Sequence, residues 1–473
     1  MARIQFGTSG WRGVFCEDFT FANVRIVTQA IADYLREAGQ GEKGVVVGYD
    51  SRFMGEFFAR ETVRVLAGSG IKSYLCNRDT PTPVIAFELM RRKAGGGINF
   101  TASHNPFDFN GLKFSPDWGG PALPETTRDI EDRANAMVGE VCFHEMPMDR
   151  AFEAGLVKNI DPRKPYFERL RELIDFEAIG RSGIKVAVNP LYGTGRGYLD
   201  ALLREAGVDV VTINDHRDPY FGGHPPEPAR SHIADFIDLV RGDDAITLGL
   251  ATDGDADRYG IVDHDGTFIE PNYILALLFD YLLRTKGQRG DVARSVATSQ
   301  LVDAVARHHG MKVHETPVGF KFIGEFIRDD EILIGGEESA GLTLRGHVPD
   351  KDGILACLLV AEMVAVEGKP LTELLADLYR RVGEVYSHRD NLRLGPDIEG
   401  NLAQKLASPP SNLAGKTIEK VITIDGFKWV FGDDSWVLFR KSGTEPVVRV
   451  YSEAKSADDL ARLSKAAAEF VQG

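Results

Sequence analysis

The sequence predicts an α/β protein closed by an α+β end domain, and three observations carry that expectation. Strand and helix patterns alternate along most of the chain, which implies α/β layers with ligands at the carboxyl ends of the strands. One arrangement occurs three times: an apolar, β-branched strand candidate runs straight into a loop dense in Gly, Asp, Glu or Ser. The last part changes character. Short strand candidates at Thr417 to Ile424, Trp429 to Phe431, Ser435 to Arg440 and Val447 to Glu453 precede a helix at Ala457 to Val471.

At 473 residues the chain exceeds what one hydrophobic core organises, so three or four domains are expected, with room for a cleft between them. With 43% apolar and 26% charged residues the composition is that of an ordinary globular protein. No apolar run approaches bilayer length, and the first residues lack a basic segment followed by an apolar one. The expectation is a cytoplasmic protein with no membrane partner. Cys16, Cys76, Cys142 and Cys357 are scattered with no C-x-x-C pair, against a zinc site or a disulfide framework. A net charge of −15 argues against nucleic acid as a partner, which would need a basic face to displace counterions. Positive groups for an anionic ligand must therefore be local.

Taken in order, the first strand candidate is Gly97 to Phe100, leading to Ser103; Pro106 and Asn110-Gly111 then mark turns. The second is Ile246 to Ala251, leading to Asp253-Gly-Asp-Ala-Asp-Arg258. The third is Glu331 to Ile334, leading to Gly335-Gly-Glu-Glu-Ser-Ala-Gly341. Helical spacing of apolar residues appears over Asp161 to Ile174, Tyr273 to Leu283, Ile354 to Val366 and Leu371 to Val382. Asp161-Pro162 reads as a cap followed by proline at the first helical position. Met146 to Asp149, Asp263 to Gly266 and Gly383 to Gly395 read as joints between domains.

Four loops carry chemistry. Ser103 sits after a strand on a loop that ligands can reach, although for a serine taken in isolation a turn or cap is the better explanation. A hydrolase triad is excluded on two grounds: the G-x-S-x-G elbow is absent, and on an extended segment Ser103 and His104 would point apart. Asp253, Asp255 and Asp257 alternate, so an extended loop would put all three carboxylates on one side for a hard divalent cation. An EF-hand fails because Arg258 and His264 stand where glycine and a bidentate glutamate are needed. Glu337, Glu338 and Ser339 suit sugar hydroxyls, or alternatively a helix N-terminus. Arg440-Lys-Ser-Gly-Thr-Glu-Pro446 is a phosphate cradle in composition, with cations, hydroxyls and a glycine that frees backbone N–H groups. At the amino end Gly7 to Gly13 forms another polar glycine-rich loop with a cation, Arg12, beside Trp11 and Phe15, which suggest packing.

The set TASHNP, DGDADR, GGEESAG and RKSGTEP, in that order and at domain-sized separations, resembles the α-D-phosphohexomutases over essentially the whole chain. The resemblance implies three similar α/β mixed-sheet domains plus a C-terminal α+β domain around a central cleft, each giving one loop. On this chain the domains would be residues 1–150, 151–265, 266–384 and 385–473. It implies that Ser103 carries a phosphate and that Asp253, Asp255 and Asp257 hold Mg2+ against it. Arg12, His104, Lys113 and Arg258 would assist transfer, with Lys113 a general base if neighbouring cations lower its pKa. Gly336, Glu337 and Ser339 would grip sugar hydroxyls. Arg440, Ser442, Gly443, Thr444 and Arg449 would hold the idle phosphate, with Lys321 and Lys351 as further contacts.

The implied reaction interconverts hexose 1-phosphates and hexose 6-phosphates through a hexose 1,6-bisphosphate, which also serves as activator. The third loop, with Ala340 and Gly341, departs from the Gly-Glu-Met-Ser-Gly-His form of dual glucose/mannose enzymes and from the Gln-containing glucosamine form. That favours glucose, with mannose as a second pair. Alternatives are a phosphoglucosamine mutase, a hexose bisphosphate synthase or phosphatase, and a non-catalytic sugar-phosphate sensor. The chain is expected to be a monomer or homodimer.

Overall fold

The computed structural model describes residues 3–7, 10–140, 143–393, 402, 404–441 and 447–472, whose strands form four sheets. The first sheet runs, in spatial order, Phe6–Gly7, Gly10–Val14, Phe109–Pro116, Gly96–Phe100, Val45–Tyr49, Ser73–Cys76 and Val157–Ile160. Its first four strands are antiparallel, and the rest pair in parallel. The second runs Phe268–Ile269, Tyr259–Asp263, Leu248–Thr252, Lys185–Asn189 and Asp209–Thr212, and the third Val313–Thr316, Asp291–Ser295, Ile332–Glu337 and Gly341–Leu344. Both combine parallel strands with an antiparallel edge. The fourth is wholly antiparallel: Tyr386–Arg393, Val447–Ala454, Trp436–Lys441, Phe427–Phe431, Lys416–Ile422 and Asn412–Leu413. Three α/β mixed sheets followed by an α+β unit are the predicted architecture.

Each of the three repeated loops is the turn of one hairpin. Gly96–Phe100 turns through Ser103 into Phe109–Pro116, Leu248–Thr252 through the aspartates into Tyr259–Asp263, and Ile332–Glu337 through Glu338 and Ser339 into Gly341–Leu344. The second and third return strands, like Phe109–Pro116, are antiparallel to the incoming strand, so each loop projects from a strand's carboxyl end. The hairpin also rules out a helix N-terminus at Glu337.

The helix Gly353–Glu367 explains how two units share one core. Its residues from Gly353 to Val364 are all buried. Its Cys357 thiol donates to Ala251 O at 3.6 Å, and Glu362 accepts from Asp175 N at 2.8 Å and Tyr281 Oη at 2.7 Å. A helix apolar all round must be covered on every side, and the second and third sheets supply that cover through Leu250, Tyr259, Ile334 and Leu342. The Asp352 carboxylate accepts from Leu355 N at 2.9 Å to start the helix, and Gly368 ends it in the left-handed conformation at φ 64°. The first unit has its own core, and so does the fourth, where Trp429 and Phe439 pack against Leu463 of the helix Ala457–Gln472. The fourth unit meets the third where Trp436, Leu438 and Tyr451 pack on Val296 and Ala297.

At each of the three expected joints a strand pairs close by or beyond it. The strand Val157–Ile160 pairs with Ser73–Cys76, so the first sheet continues beyond the boundary expected at residue 150. Phe268–Ile269 likewise stays with the second sheet, beyond residue 265. Gly383 to Gly395 reads as a joint in the sequence, yet Tyr386–Arg393 is a full edge strand of the fourth sheet. Its polar run His388-Arg-Asp-Asn391, which looks like loop residues, suits an edge strand.

Candidate active site

The serine loop, Thr82, the strand Phe109–Pro116 and the segment Asp350-Lys351-Asp352 converge on three carboxylates. Ligand oxygens of Asp253, Asp255 and Asp257 all lie within 4.8 Å of one another, and all three residues are buried. The loop is a compact turn, with Ala256 at φ 57°, instead of the extended segment that alternation suggested. Its backbone bends around Arg258, whose N–H donates to Asp253 Oδ1 at 3.0 Å. Asp255 is also tied to the first unit, because Thr82 Oγ1 donates to its Oδ2 at 2.5 Å and Asn99 Nδ2 supports Thr82 at 2.8 Å.

Ser103 Oγ donates to Asp253 Oδ2 at 3.1 Å, joining residues of two units. The serine is 2% exposed, covered by the aspartate loop, so it is less open than its loop setting suggested. The inference that Ser103 and His104 point apart is also corrected: Oγ lies 3.3 Å from His104 Nδ1. The cause is Ser103's φ of 52°, which bends the chain where an extended segment would have alternated. Arg12 adjoins the same loop, its Nη1 donating to Asn105 Oδ1 at 2.6 Å.

Lys113 Nζ reaches Asp255 Oδ2 at 2.6 Å and Asp257 Oδ2 at 2.9 Å, and Lys351 Nζ lies 3.2 Å from the same Asp257 oxygen. Lys351 gets there because position 341 is glycine: a Cβ on Gly341 would fall 2.5 Å from the Lys351 Cδ. Glu337 sits at the end of its strand and accepts from Gly319 N at 2.7 Å, while Glu338 turns away to Ser295 Oγ at 2.9 Å. Ser339 is half-buried beside them. Gly336 lies in the strand, where a Cβ would meet Leu275 at 2.9 Å. Lys321 is apart from the carboxylates, half-buried at the start of the helix Phe320–Arg328 with Glu125 as its acidic neighbour.

In the fourth unit Arg440 and Arg449 stand directly opposite each other on neighbouring strands. Like charges so placed repel unless an anion lies between them. Arg440 Nε donates to Asp425 Oδ2 at 2.8 Å, and the same oxygen accepts Val318 N of the third unit at 3.1 Å. Ser442, Gly443 and Thr444 lie outside the described residues, as does Cys142.

Burial and charge set the protonation of the site. Burial, with Asp255 and Asp257 close by, pushes Asp253 well above the usual carboxylate range. Burial pushes Asp257 the same way, but Lys113, Lys351 and Arg258 outweigh it and hold Asp257 low. For His104, burial and then Arg258 and Arg12 lower the pKa well below the ordinary value, so its imidazole is neutral. Burial lowers the pKa of Lys113, yet Asp255 and Asp257 more than compensate and it is raised.

A hard divalent cation fits this set. Asp255 Oδ1 and Asp257 Oδ1 are buried with no hydrogen-bond partner among the described residues, a costly state that a cation ligand relieves. Sequence reasoning missed Thr82 and Asp350, which hold Asp255 and Lys351 in place. Thr80-Pro-Thr-Pro83 announces a helix start, but nothing in it points to a partner in another domain.

Four family models match in order: phosphoglucomutase/phosphomannomutase alpha/beta/alpha domains I, II and III over residues 3–138, 164–266 and 270–382, and the C-terminal domain over 400–470. The chain belongs to the phosphoglucomutase/phosphomannomutase family of α-D-phosphohexomutases, and is an intramolecular phosphotransferase of that family. It is 34% identical over 453 residues to a phosphoglucomutase/phosphomannomutase of Thermococcus kodakarensis, covering 95% of this chain and 94% of the relative. It is 31% identical to a Pyrococcus abyssi protein assigned as a probable phosphoglucosamine mutase, covering 99% and 97%. A crystal structure of a Thermus thermophilus protein assigned as a phosphomannomutase superposes with a TM-score of 0.87 at 35% identity, covering 100% of both chains.

Proposed function

We propose that this chain interconverts hexose 1-phosphates and hexose 6-phosphates, with glucose phosphates as the main pair and mannose phosphates as a second, by way of a phosphorylated Ser103. The observation that carries this reading is the convergence of Ser103 Oγ, three aspartates and two lysines from three different units. In the first half-reaction the bond from Ser103 Oγ to phosphorus breaks and a sugar hydroxyl takes the phosphoryl group. In the second, the other phosphate of the hexose 1,6-bisphosphate returns to Ser103.

Asp253, Asp255 and Asp257, with the phosphate on Ser103, would hold Mg2+, which when bound neutralises phosphoryl charge. Arg12 and Arg258 add fixed positive charge near the same loop. His104, 3.3 Å from Ser103 Oγ, and Lys113, beside the aspartates, would be the groups placed to take the hydroxyl proton. Glu337 and Ser339 would grip the sugar in either orientation, with Lys321 and Lys351 as further phosphate contacts. Arg440 and Arg449, with the loop at 442–444, would hold the phosphate that is not moving. Closure of the fourth unit over the cleft would keep water from the bisphosphate. The glucose preference is supported by Glu337, Glu338 and Ser339 followed by Ala340 and Gly341, with Lys351 lying over Gly341. The same reading places the protein in the cytoplasm; no described helix is long and apolar enough to cross a membrane.

A coupled assay for glucose 6-phosphate formed from glucose 1-phosphate, with Mg2+ and a trace of glucose 1,6-bisphosphate, tests the reading. Turnover lost in Ser103→Ala is the expected result, and normal turnover by that variant overturns it. Parallel rates on mannose and glucosamine phosphates decide the substrate, a hundredfold preference being about 2.7 kcal/mol in transition-state binding. Accumulated inorganic phosphate or bisphosphate would instead indicate a phosphatase or a bisphosphate synthase.

A further inference from the structure

Arg52 is fully buried, and all three nitrogens of its guanidinium donate. Its Nη2 donates to Ser103 O at 2.7 Å and Asn105 O at 2.6 Å, and its Nη1 to Pro106 O at 2.6 Å and Phe109 O at 3.0 Å. Its Nε is paired with Asp50 Oδ2 at 3.1 Å. The flat face lies 5.0 Å from the centre of the Phe221 ring, which belongs to the second unit. One planar fork therefore gathers four carbonyls of the serine loop, and a residue of the next unit stacks on it.

The loop needs such a hold. Ser103 is not glycine yet stands at φ 52°, a conformation that side chains resist by about 1 kcal/mol or more. The carbonyls that Arg52 holds and the line from Ser103 Oγ to Asp253 belong to the same short stretch of backbone. Gly254 of the aspartate loop closes the other side: a Cβ there would lie 3.0 Å from Ser103 O. The Ser103 carbonyl is thus held between the Arg52 fork and the aspartate loop.

We propose that Arg52 is the positioning residue that aims Ser103 for phosphoryl transfer, and that Phe221 lets the second unit reinforce that aim. Arg52 touches no reacting atom; it acts through the backbone of the serine loop. A lysine cannot replace it, because a single ammonium lacks the planar set of donors that spans four carbonyls and a carboxylate. The inference rests on the mutase reading of the same site.

The test compares Arg52→Lys and Phe221→Leu with the unmodified full chain, in steady-state kinetics on glucose 1-phosphate and in amide hydrogen exchange. In Arg52→Lys, kcat falls by about a hundredfold while KM changes by less than about threefold. The amides between Thr101 and Asn110 exchange faster, with the rest of the protein unchanged. Phe221→Leu shifts both in the same direction by less. An Arg52→Lys protein with unaltered kcat, with a loss confined to KM, or with unaltered exchange in the loop overturns the proposal. If Arg52→Lys does not fold, Phe221→Leu decides: lower kcat at constant KM with faster loop exchange supports the proposal, and no change in either refutes it. An unmodified enzyme inactive on every hexose phosphate would overturn the mutase reading, while loop exchange would still report whether Arg52 holds the serine.

Discussion

Glu337 carries a carboxyl whose pKa is pushed up to about 7 by burial and then by the neighbouring Glu338. A raised carboxyl favours the folded ligand-free protein below the unfolded value near 4.5, and that contribution is lost as pH rises through about 7. Glu337→Gln removes the penalty. In thermal unfolding without ligand the variant gains stability over the unmodified protein above pH 7, by up to about 3 kcal/mol, and shows no gain near pH 4. Sugar hydroxyls donate to a carboxylate, so the unmodified enzyme's KM should rise as pH falls from 8 to 6 while that of the variant stays flat and higher. A KM insensitive to pH in the unmodified enzyme would remove Glu337 from the sugar site. Ser103 shows the limit of reading single residues. The serine and its turn formers are visible in TASHNP, but its contact with His104 follows from a φ of 52° that no local pattern announces.

The strand Phe427–Phe431 governs how the fourth unit sits on the third. Its Lys428 is buried, donates to Val296 O at 2.9 Å across the boundary and lies 4.0 Å from the centre of the Trp436 ring. Burial, and then Arg294, depress the lysine to about 8, while Glu315, Glu453 and Asp303 partly oppose them. For a depressed lysine the stabilising contribution is full above the unfolded value near 10.5 and is lost as pH falls through about 8. The stability of the unmodified protein relative to Lys428→Met should therefore increase as pH is raised from 7 to 9.5, measured as the difference in Tm. A difference that is flat or falls across that range contradicts the assignment. At this scale the long helices are readable from spacing alone: Leu371–Val382 has the expected bounds, because one face is apolar and proline precedes it. Two of the return strands are not, since Phe109–Pro116 carries the turn formers Asn110-Gly111 near its start and a proline at its end, and Gly341–Leu344 is four residues led by glycine.

Across the whole molecule, the three carboxylates are held by groups from three units: Thr82 and Lys113 from the first, Arg258 from the second and Lys351 from the third. Mg2+ binding should consequently raise the Tm of the entire chain, by about 2.7 kcal/mol of added stability at a hundredfold excess over Kd. EDTA should abolish turnover, and added Mg2+ should restore it. Asp255→Asn should lose most of the Mg2+-dependent rise in Tm, and a variant that keeps it would take Asp255 out of the cation site.

The sequence by itself determined the layer type, the order of the four loops and the residue types that each would offer, because these depend on local periodicity and on chemistry carried within a few residues. Tertiary structure alone decided that the first and second sheets take in Val157–Ile160 and Phe268–Ile269, which carbonyls Arg52 gathers, that Lys351 lies over Gly341, and that Lys113 pairs with two aspartates. Each of these depends on groups far apart in the chain meeting where water is excluded. There, burial and neighbouring charges set protonation, and no stretch of sequence read alone contains both partners.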